Sequence, residues 1–541
     1  MSVLLKATIV PRSYQSNIAI QASKSNTLVI LPTGLGKTLI AILVSEARLR
    51  EVDPKGRILV LAPTRPLILQ HKETFEKSLL IDGDRFVLLT GETDMEERSE
   101  VWETPDLQFV FATPETVLND LEVGGASLRD FVLVVFDEAH RAVGNYAYVE
   151  VARLYLDQSP GALILGLTAS PGGSIERVDD VNHNLFIKKV EARSEKDVDV
   201  QEYVEETKIE RIGLRLPPEF VVLRNHMRSL YDEKIVRLKK GGFVKPTFFR
   251  GEQRVTKKAL LGSRGEIFAR LKRADYGTDE RGMVFGAITA QAQAVIILHA
   301  MELLETQGVY TLQKYLGRLK DNPEQGKSAK ALFRDERWAR IMNEASKLSL
   351  VISPASSLIE DHPKIPKLQS IISEQLQRKQ DSKIIVFTQY RDTIDLIISK
   401  LQKNKRVKCE RFVGQSKRSE EDKGMSQKVQ KEILEKFRSS SEFNVLVSSS
   451  IGEEGLHVPD VDLVVFYEAV PSEIRSIQRR GRTGRTMPGR VVVLLSENTV
   501  DEAYYYSALY KENKMKKIVQ DGIAVAADND EPENVSLLDF I

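Results

Sequence analysis

The chain has 541 residues, 42% hydrophobic and 29% charged, with a formal net charge of +1. Such a length suits about three domains at ~150 residues each, and the composition excludes a disordered or fibrous chain. A single cysteine, Cys409, excludes an internal disulfide framework and a cysteine-based zinc site, and a reducing compartment is expected. No apolar run of about 18 residues stands out, so no membrane span is expected. The N-terminus lacks a secretory-signal pattern.

In chain order, short apolar runs fall at Thr27–Leu31, Arg57–Ala62, Gln108–Thr113, Phe131–Phe136 and Ala162–Leu167, with helical patterns between them. Continuously apolar strands alternating with helices predict a parallel sheet covered on both faces. The first run enters Leu31-Pro32-Thr33-Gly34-Leu35-Gly36-Lys37-Thr38, and a helix pattern follows. Strand, Gly-rich turn, Lys-Thr and helix form a phosphate cradle. Gly34 and Gly36 let backbone N–H groups face phosphate oxygens. Lys37 supplies a point charge, and the Thr38 hydroxyl suits magnesium. The usual pattern opens on a small residue, and here that place is Leu31.

The fourth run ends in Asp137-Glu138-Ala139-His140. Asp137 is expected to hold magnesium through water, and Glu138 to orient and activate the attacking water. From about residue 206 to 355 the strand pattern fades into helical patterns such as Ala290–Glu305 and Ala329–Leu348. Arg224–Arg273 carries 15 Lys and Arg against four acids, interleaved with Tyr231, Phe243, Phe248, Phe249 and Phe268. A basic, aromatic-containing insertion in a neutral chain is a candidate nucleic-acid surface.

Strand patterns return at Lys383–Thr388, Asn444–Ser449, Asp462–Tyr467 and Arg490–Leu495, a second α/β domain. Cys409 lies in a strand-like segment and reads as a core thiol. Gln478-Arg479-Arg480-Gly481-Arg482-Thr483-Gly484-Arg485 reads as arginine fingers sent to a γ-phosphate in the first domain. A basic run of this kind also suits nucleic-acid phosphate. The end of the chain is acidic over Asp528–Asn534, then apolar over Val535–Ile541.

Taken in order, Arg12–Gln15, Leu31–Thr38, Ala62–Leu67, Ala112–Glu115, Asp137–His140, Thr168–Ser170, Val386–Gln389, Ser448–Pro459 and Gln478–Arg485 resemble the motifs of superfamily 2 helicases. The nearest branch is similar to the archaeal Hef and FANCM helicases, Leu31 and Glu453-Glu454-Gly455-Leu456 included. The resemblance implies two tandem RecA-like parallel-sheet domains, residues 1–205 and 356–525. A helical thumb-like insertion at 206–355 and a tail at 526–541 complete the organisation.

It also implies ATP and Mg2+ as cofactors. Gln15 would read the adenine edge with Arg12 nearby, Gln478 would position water, and Arg482 and Arg485 would contact the γ-phosphate. Thr64, Arg65, Thr113 and Thr388 would grip one nucleic-acid backbone, while Thr168 and Ser170 would couple hydrolysis to strand movement. The implied activity is an ATP-dependent DNA helicase or translocase on forked or branched DNA, moving three-prime to five-prime in replication-fork repair and restart. One alternative is an RNA-directed ATPase related to the Dicer and viral-RNA-sensor helicases. Another is a nucleotide-gated scaffold.

Two departures are informative. His457 stands where the family's fifth motif usually has Asp, which puts a ribose or arginine contact in doubt. The Glu-Arg-Lys motif of Hef nucleases is absent from these residues, as expected of a helicase-only or truncated chain. Asn534–Ile541 resembles a sliding-clamp (PCNA) interaction peptide, with Leu537, Phe540 and Ile541 as its apolar anchors. Compartment follows the source: cytoplasm, with the nucleoid, in a prokaryote and nucleus in a eukaryote.

Overall fold

The computed structural model describes residues 4–514 apart from 171, 173–174, 195–196, 204–206, 246, 250–251, 274–278, 322–325, 352–361, 416–421, 423, 440–441, 450–460, 470–488 and 512. Seven strands form a first sheet: β1 (Thr27–Ile30), β2 (Arg57–Leu61), β3 (Phe86–Leu89), β4 (Phe109–Ala112), β5 (Phe131–Asp137), β6 (Ile164–Thr168) and β7 (Lys189–Ala192). Their order is β3-β4-β2-β5-β6-β1-β7, and every pairing is parallel. Val29 and Leu31 enter the core on one face, Leu28 and Ile30 the core on the other. That two-sided burial is why the strands read as unbroken apolar runs.

After β8 (Thr207–Leu214), a short hairpin of β9 (Thr247–Phe249) and β10 (Glu252–Arg254) lies among helices. A second parallel sheet follows from β11 (Ile384–Phe387), β12 (Cys409–Phe412), β13 (Val445–Ser448), β14 (Leu463–Phe466) and β15 (Gly489–Ser496). Its order is β12-β13-β11-β14-β15-β8. Here the structure corrects the expected boundary at 206, because β8 pairs along its whole length with β15. The chain therefore joins the second sheet before it enters the insertion. Cys409 is partly buried against the core of this sheet, and burial pushes its thiol up to about 12.

The insertion has its own apolar core, built from helices Pro218–Lys240, Lys257–Arg273, Asp279–Thr306, Val309–Asp321, Lys327–Phe333 and Glu336–Val351. The single helical pattern expected over 329–348 is broken, because the Asp335 carboxylate accepts the Arg337 N–H at 3.0 Å and caps a new helix. The insertion holds one strongly apolar helix, its apolar residues interrupted by Thr289, Gln291, Gln293 and His299. Asp279–Thr306 has 28 residues and a mean hydropathy of 1.6 in its most apolar window, enough by length and composition to cross a membrane. Its Val284, Ala287, Ala294, Ile297, Ala300 and Leu304 instead fill the insertion core.

Insertion and second sheet are held together by polar contacts that run from the buried junction to its exposed rim. The Thr311 and Thr393 hydroxyls lie 3.0 Å apart, and the Arg318 guanidinium meets Asp392 at 2.8 and 2.7 Å. The Tyr504 hydroxyl donates to Glu302 at 2.9 Å, and the Val500 N–H to Glu305 at 3.2 Å. His362 is fully buried at the same junction, its Nδ1 accepting the Lys364 N–H at 3.2 Å. Its Nε2 must then be the protonated nitrogen, donating to the Glu305 carbonyl at 3.1 Å.

Burial, helped by the Lys364 charge, lowers His362 to about 3. The unfolded chain thus binds the proton more tightly. The neutral ring's contribution is complete above about pH 6.5 and is lost as pH falls toward 3. Its share of the slope is about 1.4 kcal/mol per pH unit in that window. Urea unfolding at pH 7.5 and 5.0 should show a smaller acid loss in His362→Phe than in the wild type.

Candidate nucleotide and nucleic-acid site

The chemistry-bearing residues gather at the carboxyl ends of parallel strands, where α/β sheets bind ligands. Ile30 is in register with Thr168, Asp137 with Leu167, and Leu61 with both Ala112 and Phe136. The loop at Leu31–Thr38, the Asp137-Glu138 pair, Thr168–Ser170, Thr64 and Thr113 therefore share one edge of the first domain. Sequence separation hides this, and the strand register creates it.

Gly34 and Gly36 have φ of 90° and 81°, the left-handed region that favours glycine. A Cβ on Gly36 would collide with Gln15 Nε2, so a side chain there would displace the glutamine. The helix Lys37–Glu51 begins at this turn, and its first N–H groups offer an anion site. Leu31 is fully buried in the core beneath the loop, which explains a large residue at the opening place. Lys37 Nζ donates to the Leu31 carbonyl at 2.9 Å, so its charge already lies inside the cradle.

Gln15 is 3% exposed. Its Oε1 accepts the Arg12 N–H at 2.9 Å, and its Nε2 donates to the Leu35 carbonyl at 3.0 Å. Tyr14, missed in the sequence, donates its hydroxyl to the same carbonyl at 2.8 Å. The Arg12 guanidinium donates to Tyr14 at 3.2 Å and sits over the Tyr203 ring. Reading an adenine edge requires Gln15 to exchange these internal bonds.

Asp137 is 5% exposed and carries the residue most clearly missed by sequence reasoning: His71 Nε2 lies 2.8 Å from its Oδ2. Burial pushes the Asp137 carboxyl up, but the His71 ring and the Lys37 charge outweigh it and hold the acid below its ordinary range. The Tyr148 hydroxyl donates to the Asp137 carbonyl at 2.7 Å. Glu138 adopts φ 51°, ψ 46°, a rare conformation for a side-chain-bearing residue. Its buried Oε2 has no hydrogen-bond partner among the described residues, although His140 Nδ1 is 3.3 Å away. His140 Nδ1 pairs with the Thr168 hydroxyl at 3.1 Å, and that hydroxyl donates to the Ser170 carbonyl at 2.9 Å. A chain of contacts thus runs from the acid loop into Thr168–Ser170.

These features fit a nucleoside triphosphate with magnesium. A glycine cradle, an inward lysine, a carboxylate kept ionised and a buried acceptor with no hydrogen-bond partner among the described residues stand together. Among the described residues no group of three or more His, Cys, Asp or Glu forms a protein-only cage. Magnesium bound with phosphate needs only one or two protein groups, and Thr38 directly and Asp137 through water would serve.

The expected nucleic-acid contacts fare unequally. Thr64 Oγ1 is buried without a partner among the described residues, at the start of the helix Arg65–Ser78. Arg65 is paired with Glu92, and the Thr113 hydroxyl with that of Thr116 at 2.8 Å. Thr388 contradicts its expected role here. It is fully buried, and its hydroxyl donates to Gln307 Oε1 at 3.4 Å, on the insertion. Gln307 Oε1 also accepts from Thr393 at 2.8 Å, while its Nε2 donates to Glu468 at 3.3 Å. Thr388→Val should leave single-strand affinity unchanged in an anisotropy titration. It should destabilise the second domain by about 1 kcal/mol, the worth of one hydrogen bond.

Tyr231 and Phe243, expected in a nucleic-acid surface, are 5% and 2% exposed and belong to the insertion core. Phe268 and Phe285 are instead 41% and 51% exposed, with Arg264 and Arg281 over their rings. Gln478, Arg482, Arg485, His457 and the tail anchors Leu537, Phe540 and Ile541 lie outside the described residues.

Two RecA-like sheets with a phosphate cradle and an acid pair at one strand edge define an ATP-driven motor of helicase superfamily 2. Comparison agrees. A DEAD/DEAH box helicase family matches residues 12–178, and a helicase conserved C-terminal domain matches 364–487. A helical-bundle family of candidate ATP-dependent RNA helicases matches 219–350.

The crystal structure of the Pyrococcus furiosus Hef helicase domain is 44% identical, with a TM-score of 0.68, covering 94% of this chain and 100% of that one. A candidate ATP-dependent RNA helicase of Methanocaldococcus jannaschii is 39% identical over 95% of this chain and 61% of its own length. The Neurospora crassa ATP-dependent DNA helicase mph1 is 35% identical over 91% and 41%, and the Mus musculus Fanconi anemia group M protein homolog 31% over 94% and 26%. The chain therefore spans less than two thirds of those three relatives. It belongs to the Hef/FANCM family of superfamily 2 helicases.

Proposed function

We propose that the chain is an ATP-dependent DNA helicase or translocase acting on forked or branched DNA, moving three-prime to five-prime in replication-fork repair and restart. One observation carries the mechanical part: the insertion is bonded to the second motor domain through Gln307, Thr311, Arg318 and Lys364. Lys37, Asp137 and Glu138 belong to the first domain. Any change in the cleft between the domains then swings the insertion against the first domain, which is how hydrolysis reaches a branch point. The DNA assignment is supported by the mph1 name and by the exposed arginine–aromatic pairs of the insertion.

ATP with its magnesium supplies the phosphoryl group whose transfer to water drives the cycle. The chain's residues prepare that transfer. Lys37 leaves the Leu31 carbonyl to hold negative charge. Asp137 stays ionised beside the cradle. Glu138 Oε2 is the open acceptor that takes a proton from water. Gln478, Arg482 and Arg485 complete the site from the second domain in this reading. The terminal peptide around Leu537, Phe540 and Ile541 would dock on a sliding clamp.

An RNA substrate is the second reading, because the M. jannaschii relative and the helical-bundle family carry RNA in their names. Strand release from a labelled three-prime-tailed DNA fork, beside an RNA duplex of the same sequence, separates the two. Release from DNA supports the proposal, and release from RNA alone overturns it.

A further inference from the structure

We infer that His71 is a positioning residue that ties the nucleic-acid-gripping helix to the magnesium-holding carboxylate. The inference rests on the readings of Asp137 as that carboxylate and of Thr64 and Arg65 as nucleic-acid contacts. His71 lies on the helix Arg65–Ser78, whose first turn carries Thr64 and Arg65. Its ring is 4% exposed, and Nε2 reaches Asp137 Oδ2 at 2.8 Å across 66 residues of chain. Its other nitrogen, Nδ1, is buried and has no partner among the described residues.

A buried imidazole with one nitrogen orphaned is not placed for stability alone, since an unsatisfied buried polar atom is unfavourable. What the arrangement does supply is direction. With Nε2–H donating to Oδ2, one carboxylate orientation is favoured, and Oδ1 is held toward the metal's water shell. Groups that fix a ligand in this way change metal affinity about 10–100-fold when removed.

The same bond makes the helix a lever. Thr64 Oγ1, also buried without a partner among the described residues, is the hydroxyl at its start. A phosphate that engages Thr64 and Arg65 pulls on the helix that carries His71. The shift reaches Asp137 directly, without passing through Thr168–Ser170. Nucleic acid and magnesium nucleotide are thereby coupled, and by linkage each must change the other's affinity by the same factor.

The test is binding of a fluorescent ADP while magnesium is titrated, with and without single-stranded DNA. His71→Ala and His71→Leu should need about tenfold more magnesium. Both should lose the change in nucleotide affinity that DNA causes in the wild type, while DNA affinity without nucleotide is unchanged. His71→Gln keeps an N–H donor and should stay close to wild type. His71→Leu keeps the side chain's bulk, so a cavity left by alanine cannot mimic the effect. An unchanged magnesium requirement, retained DNA coupling, or a glutamine variant as weak as alanine would each overturn the inference. Asp137→Asn separates the two levels. If it binds magnesium nucleotide normally, the reading of Asp137 fails. If it alone is defective, only the role of His71 fails.

Discussion

Glu138→Gln is expected to lower kcat for ATP hydrolysis by about 10²–10⁴-fold while ATP binds nearly as in the wild type. The amide keeps the size of the carboxylate and its left-handed backbone at φ 51°. It removes only the proton acceptor at Oε2, a buried atom without a hydrogen-bond partner among the described residues. Loss of kcat without loss of binding marks an interaction made in the transition state. Lys37→Ala should behave differently, because Lys37 stands within the cradle itself and its loss weakens nucleotide binding as well. Quench-flow turnover beside equilibrium nucleotide binding reads both. A Glu138→Gln enzyme that turns over at the wild-type rate would remove the general base from the mechanism.

Asp501→Ala should destabilise the unit formed by the insertion and second motor domain by about 3–5 kcal/mol, as expected when one member of a buried ion pair is removed. Lys364 and Asp501 are both fully buried, with 2.6 Å between Nζ and Oδ2. The carboxylate also accepts the Ala469 N–H at 2.8 Å and the Ser496 N–H at 3.0 Å, at the ends of β14 and β15. Lys364 donates further to the Thr306 carbonyl at 3.3 Å, at the end of an insertion helix. One pair therefore fastens three segments. The lysine left behind in Asp501→Ala is an uncompensated buried charge. The double variant Lys364→Met, Asp501→Leu carries no such charge and should recover much of the loss. In calorimetry the transition of the second unit should fall in the single variant, while that of the first domain stays in place.

Much of the fold was legible because its strands are buried on both faces. Val29 with Leu31, and Leu28 with Ile30, serve opposite cores, so the runs are short, continuously apolar and bounded by turn residues, which reads as strand. The strands that escaped are of another kind. β7 and β8 lie at sheet edges and carry Lys189 and Glu191, or Lys208, Glu210 and Arg211, while β3, an apolar edge strand of four residues, and the short β9–β10 hairpin also escaped. In β7 and β8 edge position relaxes the demand for apolar residues and erases the signal.

The nucleotide site was legible where chemistry is local, as in Gly34, Gly36, Lys37 and the Asp137-Glu138 pair. His71 was not, since its partner is chosen by helix packing on a sheet rather than by spacing. Thr388 was misplaced for a related reason. Its position after β11 suits a phosphate contact, but the insertion covers it with Gln307. Tyr231 and Phe243 looked like stacking platforms because aromatic residues among arginines read alike, buried or exposed.

Steady-state ATP hydrolysis measured without nucleic acid, with single-stranded DNA, with forked DNA and with double-stranded RNA tests the central claim most directly. Wild type should be run beside Lys37→Ala at one fixed moderate salt, because phosphate contacts make affinity salt-dependent. The account predicts the strongest stimulation by forked DNA, abolished in the variant. Stimulation by RNA alone, or turnover that no DNA changes, would contradict it.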